Sequence, residues 1–199
     1  YELCDTVQNK SKLFFEHEKK NLNFFLNNDK QKSLAYSFLK KKFLNLKIDE
    51  QAKLMQEITN TSKRKNYFNI CLNSEEVKTL DNHPLITIGS HGHNHLNLKI
   101  LTNDEIKDEV TKSLEILESL LNHKIKHFCY PYGRKEEASD REYNMIKNFN
   151  FVSALTGRVF PIDNTDPFAL PRIYVGENTC DKALINNISG FYNFAKKLI

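Results

Sequence analysis

Three histidines within five residues, His91, His93 and His95, are the strongest chemical signal in the sequence. The preceding segment, 84–89, has the pattern of a buried strand, so the imidazoles are expected at the carboxyl end of a strand, where α/β barrels carry their sites. His91 and His95 are four residues apart, and two imidazoles at that spacing can converge on one divalent metal ion. We therefore predict that His91 and His95 bind a metal. His93, at the intermediate spacing, is expected to point elsewhere as a structural or rim residue.

A second candidate segment, residues 128–134, reads Phe-Cys-Tyr-Pro-Tyr-Gly-Arg and also follows a predicted strand. Pro131 and Gly133 impose a tight turn, and such a loop can direct backbone N–H groups into a site where negative charge develops. Taken alone, the segment could be an aromatic β-turn with no further role. Its place after the histidine segment favours the functional interpretation.

The surrounding pattern predicts the elements that position these segments. From about residue 68, short apolar segments alternate with capped helices, which is typical of β/α units around a parallel sheet. Strands are predicted at 84–89, 126–130, 149–155 and 170–175. Helices are predicted to begin at Ser74, at a capping box of Thr102 and Glu105, at Ser139 or Asp140, and at Asp181.

Residues 11–60 have a different texture, with apolar side chains three or four residues apart among Lys, Glu, Asn and Gln. This spacing predicts two or three amphipathic helices whose aromatic stripe is core: Phe14, Phe24, Phe25, Phe38 and Phe43. His17 lies among charged neighbours and is interpreted as a solvated surface residue. No catalytic constellation is found in this region.

Composition narrows the classes of protein that need consideration. The 199 residues are 40% hydrophobic and 27% charged, which suits an ordinary folded domain, and the net charge of +4 is too small to require a nucleic-acid partner. Apolar runs are only a few residues long, so no transmembrane segment is predicted. The cysteines are scattered without a CxxC pair, which favours a reducing compartment and argues against a zinc-binding nucleic-acid module: Cys4, Cys71, Cys129 and Cys180.

The two candidate segments together resemble a known family. His91-x-x-x-His95 followed by Phe128-x-Tyr-Pro-Tyr-Gly is similar to the second and third motifs of the polysaccharide deacetylase (NodB-homology) family. The segment 166–173, Asp-Pro-Phe-Ala-Leu-Pro-Arg-Ile, resembles a branch common in bacterial surface-polysaccharide clusters. The resemblance covers about residues 68–178. It implies that 68–199 is the C-terminal part of a partial or distorted (β/α) barrel, an α/β fold, and that 1–67 is a helical insertion in the same domain.

The resemblance also implies an activity and a set of site residues. The activity is metal-dependent N-deacetylation, which hydrolyses acetamido groups on amino sugars of a polysaccharide or its precursor. His91 and His95 would bind a divalent metal, usually zinc, and the backbone N–H of Tyr132 would stabilise the oxyanion. Tyr130, Pro131 and Tyr132 would contact the carbohydrate. No nucleic-acid partner is implied.

The sequence departs from the family pattern in ways that bear on activity. The Thr-Phe-Asp-Asp motif, which supplies the third metal ligand and the general base, does not occur, and Asp5 lacks the apolar strand that precedes that motif. Cys129 replaces an arginine whose charge Arg172 or Arg134 could supply. No histidine follows Arg172 to serve as general acid, which leaves His93 or an upstream group. We therefore expect a C-terminal fragment that is inactive alone; the alternative is a non-catalytic carbohydrate-binding remnant.

Overall fold

The computed structural model describes residues 2–61, 70–160, 165–177 and 179–189. The chain divides into two compact units, an N-terminal unit of Tyr1–Val77 and a C-terminal unit of Lys78–Ile199. Within the described ranges, no helix has the length and apolar character needed to cross a membrane.

The N-terminal unit combines helices with a β-hairpin. Its elements are α1 (Glu2–Asn9), β1 (Lys12–His17), β2 (Lys20–Phe25), α2 (Asp29–Phe43) and α3 (Ile48–Thr59). Each of the five elements or its flanking residues contributes to one apolar core, whose buried members are Val7, Leu13, Phe15, Leu26, Ala35, Leu39, Leu54 and Ile58. The structure confirms the predicted helices over α2 and α3.

The hairpin corrects the helical prediction for residues 12–25. Leu13 and Phe15 are buried while Phe14 between them is exposed, which is the two-residue alternation of a strand. Glu18 and Lys19 form the turn with positive φ angles of 50° and 61°, the conformation that joins antiparallel strands through two residues. The helical prediction was wrong because doubled apolar residues also fit helical spacing, and because this turn lacks the usual Gly or Asn.

Two side-chain predictions in this unit also need correction. Three members of the predicted aromatic core stripe are substantially exposed: Phe14, Phe25 and Phe38. His17, predicted to be solvated, has a side chain only 13% exposed, and its Nδ1 lies 3.0 Å from Glu57 Oε2. The reason is that residue 57, far away in sequence, lies on α3 next to the end of β1.

The C-terminal unit contains short strands between helices, and helix α4 (Ser74–Asp81) leads into it. The elements that follow are α5 (Asn103–Leu121), β3 (His127–Cys129), α6 (Asp140–Lys147), β4 (Ser153–Leu155) and α7 (Asp181–Ile188), with 3-10 turns at Leu98–Ile100 and Pro167–Ala169. Strands β3 and β4 pair in parallel. Parallel bridges from Ser90 to Phe128 and from Leu155 to Leu170 extend the sheet on both sides. The predicted α/β class is confirmed.

Two predicted strands do not form. Residues 84–89 form no strand in the part of the chain that the structure describes, and Leu85 is 89% exposed. Residues 170–175 pair only at Leu170. A strand requires a neighbour along its length, whereas residues 170–175 meet one only at Leu170, and the bridge nearest to 84–89 is at Ser90, just beyond it.

The helix starts agree well with the sequence. Thr102 and Glu105 form the predicted capping box at the start of α5, and Ser139 caps α6 with Glu142. These caps satisfy backbone N–H groups locally, so neighbouring residues are enough to predict them. Helix α7 begins at the predicted Asp181. Spacing also predicts that Phe191 and Phe194 continue its apolar face, but both lie outside the described residues.

Candidate functional site

The histidine segment begins at a residue fixed to both strand β3 and helix α5. The backbone N–H of Ser90 donates to His127 O at 2.9 Å, and Ser90 O accepts from the N–H of Cys129 at 2.9 Å. The Ser90 hydroxyl also hydrogen bonds to the Ser113 hydroxyl at 2.9 Å in the interior. The histidines therefore leave the sheet beside the carboxyl end of β3, and not at the end of the strand predicted over residues 84–89, which does not form.

The structure brings the side chains of His91 and His95 together. Their ring centroids are 4.7 Å apart with an interplanar angle of 74°. Nδ1 of His91 lies 2.7 Å from Cys129 O, and because a carbonyl oxygen only accepts, this contact assigns the proton to Nδ1. In the neutral imidazole, Nε2 of His91 then carries the lone pair, which is the arrangement of a metal-binding histidine held by a backbone carbonyl.

His95 occupies an uncommon backbone conformation next to a second aromatic ring. Its φ is +56°, and its ring centroid is 4.7 Å from that of Tyr132. The residue as a whole remains exposed, but burial of the ring between its neighbours, followed by the proximity of His91, lowers the pKa of His95. A lowered pKa favours neutral imidazole, the form that binds metal ions.

A buried carboxylate that the sequence analysis missed holds the middle of this segment. Glu109 on α5 is only 6% exposed and accepts hydrogen bonds from Asn94 N at 2.8 Å and Asn94 Nδ2 at 2.5 Å. Gly92 has a φ of +79°, and a Cβ atom on it would lie 3.6 Å from Glu109 Oε2. His93 is exposed. Glu109 therefore fixes the loop on which both candidate ligands are mounted.

A second buried carboxylate anchors the chain that follows His95. Glu142 is fully buried, with its Oε1 2.6 Å from Arg141 Nε. Burial alone would raise the pKa of Glu142, but hydrogen bonds from Ser139 and Arg141 hold it below its usual value. Arg141 also donates to the backbone carbonyls of Leu98 and Leu101, each at 2.9 Å. The segment after the histidines is thus tied to the start of α6.

The aromatic loop is locked against the rest of its unit by close backbone contacts. Tyr132 and Gly133 have φ angles of +61° and +67°. A Cβ atom on Gly133 would lie 2.6 Å from Gly157 N, and one on Gly157 would lie 2.5 Å from Tyr132 O. No side chain fits at either glycine without a backbone shift. Gly157 therefore belongs to the site framework, although nothing in the sequence motif indicates it.

Tyr130 has a structural place in this loop. Its side chain is fully buried, and its hydroxyl donates to Phe168 O at 2.8 Å. Burial raises the pKa of Tyr130, so the phenol remains a donor. This burial differs from the expectation that Tyr130 contacts carbohydrate. Pro131 is also buried, whereas Tyr132 is partly exposed beside His95.

Of the two arginines considered for the charge missing at position 129, Arg172 lies near that position. Burial raises the pKa of the Cys129 thiol, and the positive charge of Arg172 opposes this rise. Arg172 Nε donates to Thr156 O at 2.7 Å, which fixes the guanidinium beside β4. Arg134 is exposed, and its backbone N–H bonds to Glu137.

The described residues contain two candidate metal ligands and no complete metal cluster. No group of three or more His, Cys, Asp or Glu side chains that could hold a metal occurs in the described ranges. Asp5, the alternative from the sequence, lies within helix α1 and accepts a hydrogen bond from Asn9 at 2.6 Å. The donor chemistry of His91 and His95 fits a divalent ion that takes its remaining ligands from other donors.

Comparison with known proteins assigns the region that contains this site. Residues 58–147 match the family model described as polysaccharide deacetylase, and this range includes both histidines and the aromatic loop. No curated protein matches the chain in sequence. The polysaccharide deacetylase model therefore covers the region of the chain that carries the candidate site.

Two solved structures support the same fold. The Streptococcus pyogenes deacetylase PplD, in complex with acetate, is 20% identical with a TM-score of 0.53, and the match covers 59% of this chain and 50% of PplD. BC0361, a polysaccharide deacetylase from Bacillus cereus, is 16% identical with a TM-score of 0.51, covering 72% of this chain and 48% of that protein. This chain therefore spans about half the length of these proteins and shares the partial-barrel fold.

Proposed function

We propose that this chain provides the metal-binding part of a metal-dependent N-deacetylase that hydrolyses acetamido groups on amino sugars of a polysaccharide or its precursor. The observation that carries the proposal is the histidine pair: Cys129 O holds Nδ1 of His91, which directs Nε2 away as the nitrogen for a metal, and the ring of His95 lies against it. His91 and His95 would hold a divalent metal such as zinc, which would supply a water of lowered pKa and polarise the acetamide carbonyl.

The remaining site residues take roles that follow from their positions. The backbone N–H of Tyr132, in a loop fixed by Gly133 and Gly157, stabilises the oxyanion, and the partly exposed Tyr132 ring contacts the sugar. Pro131 shapes the loop, and Tyr130 holds it through Phe168 O. Arg172 contributes positive charge beside Cys129.

Proton transfer is the part of the reaction that the described residues do not supply. Deacetylation needs a base for the attacking water and an acid for the departing amine, together worth about 10²- to 10⁴-fold in rate. In the described part of the chain, no carboxylate joins the histidine pair in a metal-binding group. We therefore propose that the 199 residues alone bind metal weakly and do not turn over substrate. The second candidate function, a non-catalytic carbohydrate-binding module, is favoured by the same observation.

Cobalt titration tests the metal site, with His93 as the matched control. Cobalt(II) absorption is followed for the unmodified chain and for His91→Ala, His95→Ala and His93→Ala. We expect weak binding that is lost in the first two variants and retained in His93→Ala, because His93 does not join the ring pair. Equal loss in all three variants, or tight stoichiometric zinc in the unmodified chain, would contradict the two-ligand assignment.

Acetate release separates the two functions. The 199-residue chain with zinc should release no measurable acetate from chitotetraose. A protein with additional sequence containing an Asp-Asp strand should release acetate if the function is enzymatic, and only bind the sugar if it is a binding module. Turnover by the 199-residue chain itself, abolished by a chelator and restored by zinc, would show that residues such as Asp5 or His93 complete the site.

A further inference from the structure

The N-terminal unit has a cavity of its own, which we call the hairpin pocket. Its volume is about 470 Å³, within the range of small-ligand sites. The residues at the hairpin turn and along the C-terminal part of α2 line it: His17, Glu18, Phe38, Lys41, Lys42, Asn45 and Leu46. None of them belongs to the motifs of the deacetylase site.

The lining of the pocket contains two lysines, Lys41 and Lys42, and one carboxylate, Glu18. Lys42 Nζ lies 3.7 Å from Glu18 Oε2, so that one of the two lysines already faces a carboxylate. Lys41 is exposed and forms no ion pair with any residue that the structure describes. An anionic ligand is attracted to such a surface.

The pocket also presents an aromatic ring and a fixed imidazole. Phe38 packs against Phe24 with ring centroids 5.4 Å apart, and still remains 44% exposed. His17 is held between Glu57 Oε2 at 3.0 Å and Glu18 Oε1 at 3.7 Å. An exposed aromatic ring that packs on a second ring can stack against the C–H groups of a sugar. The imidazole of His17 and the amide of Asn45 can hydrogen bond to sugar hydroxyls.

We propose that the hairpin pocket binds an acidic saccharide, with a carboxylate bound by Lys41 and Lys42 and a sugar ring stacked on Phe38. The choice of a carbohydrate rests on the proposed function, whereas the requirement for an acidic group rests on the lysines. The pocket would then bind an acidic saccharide through residues that are not part of the histidine motif. The competing explanation is that the lysines only complement the C-terminal dipole of α2, where Lys40 also lies.

The test compares two tetrasaccharides that differ in charge. Binding of hyaluronan tetrasaccharide, which alternates glucuronate and N-acetylglucosamine, is measured by calorimetry against neutral chitotetraose at low salt. Hyaluronan tetrasaccharide should bind about tenfold more tightly and weaken as salt rises. Lys41→Gln and Lys42→Gln should each weaken hyaluronan binding about fivefold. Phe38→Ala should weaken the binding of both tetrasaccharides. Lys40→Gln, a control on the same helix outside the pocket, should change affinity less than twofold.

Each alternative gives a different result. Equal affinity for the two sugars, or no binding of either, overturns the proposal. Equal loss of hyaluronan affinity in Lys40→Gln and Lys41→Gln would identify a general polyanion surface and overturn the proposal. Stronger binding of single-stranded RNA than of hyaluronan would do the same. Circular dichroism checks that Phe38→Ala stays folded. If this variant unfolds, the test rests on Lys41→Gln and Lys42→Gln. Saccharide binding that persists in His91→Ala, after cobalt binding is lost, separates this pocket from the proposed deacetylase site.

Discussion

The two compact units achieve order by different means. The N-terminal unit buries one apolar cluster to which helices and hairpin contribute, and its special backbone conformations lie at the hairpin turn and at the end of α3. In the C-terminal unit, left-handed residues and closely packed glycines concentrate at the candidate site: Gly92, His95, Tyr132 and Gly133. Backbone strain of this kind is typical of functional sites. The candidate site therefore depends on close packing of backbone against backbone, whereas the N-terminal unit depends on the burial of apolar side chains.

The largest expected effect tests apolar burial in the N-terminal unit. Leu39 on α2 is fully buried, so Leu39→Ala should lower the free energy of unfolding of this unit by about 3 kcal/mol. Leu34→Ala on the same helix is the control, because Leu34 is 64% exposed. Hydrogen exchange of amides within residues 2–61 measures both variants. Equal loss of protection in the two variants would show that the cluster is not the source of stability.

The close backbone packing in the C-terminal unit is tested by adding one methyl group at Gly133. Gly133→Ala places a Cβ atom 2.6 Å from Gly157 N at a φ of +67°, and should cost about 2 to 3 kcal/mol of unfolding free energy. Gly176→Ala is the control, since its new methyl meets only the side chain of Tyr174, which is 83% exposed and can move. Denaturant unfolding followed in residues 78–189 should separate the two variants. A tolerated Gly133→Ala would show that the loop is adaptable.

A smaller loss of stability is expected when Glu109, the buried carboxylate that holds the histidine loop, is substituted. Glu109→Gln replaces one acceptor oxygen by an NH2 group that faces a donor of Asn94, and should cost about 1 to 2 kcal/mol. Cobalt affinity should fall as well, because the loop between His91 and His95 loses its support. Glu115→Gln on the exposed side of α5 is the matched control. Loss of stability with unchanged cobalt affinity would limit Glu109 to a structural role.

Local sequence was sufficient for the helices that carry and flank the site. Thr102, Glu105 and Ser139 sit within one helical turn of the groups they cap, so nearby residues specify α5 and α6. The hairpin was missed because its turn residues, Glu18 and Lys19, rarely adopt left-handed conformations. Residues 84–89 have the composition of a strand, but composition does not reveal whether a neighbouring strand is present.

Within the candidate site, the histidine spacing predicted which side chains meet, whereas the supporting contacts could not be predicted. The carbonyl that orients His91 comes from Cys129, and the glycine that admits the aromatic loop is Gly157. Both contacts depend on packing between distant segments. For Glu109 the sequence contains one indication. It lies on the apolar face of α5 between Ile106 and Val110, and a carboxylate on such a face indicates a buried hydrogen-bond partner.

The smallest expected effect concerns a histidine–carboxylate pair in the C-terminal unit, which contrasts with the partly buried His17–Glu57 pair. His123 Nε2 lies 2.7 Å from Asp81 Oδ2 on the surface. The hydrogen bond to Asp81, followed by the one to Lys124 O, raises the pKa of His123 above its usual value, while Glu118 adds a weaker attraction. Protonated His123 is therefore favoured in the folded state. Its stabilisation is complete below the unfolded pKa of about 6.5 and is lost as pH rises through the folded pKa.

A comparison with Asp81→Asn across this pH range isolates the pair. The unfolding midpoint of the unmodified chain should exceed that of the variant at about pH 5.5, and the two midpoints should converge once the pH exceeds the raised folded-state pKa of His123, where the ring is neutral in both states. The difference should be small and should shrink further with added salt, because both partners are reached by solvent. A difference that grows with rising pH would mean that Asp81 acts through the neutral imidazole. The exposed pair would then stabilise the fold as a hydrogen bond rather than as an ion pair.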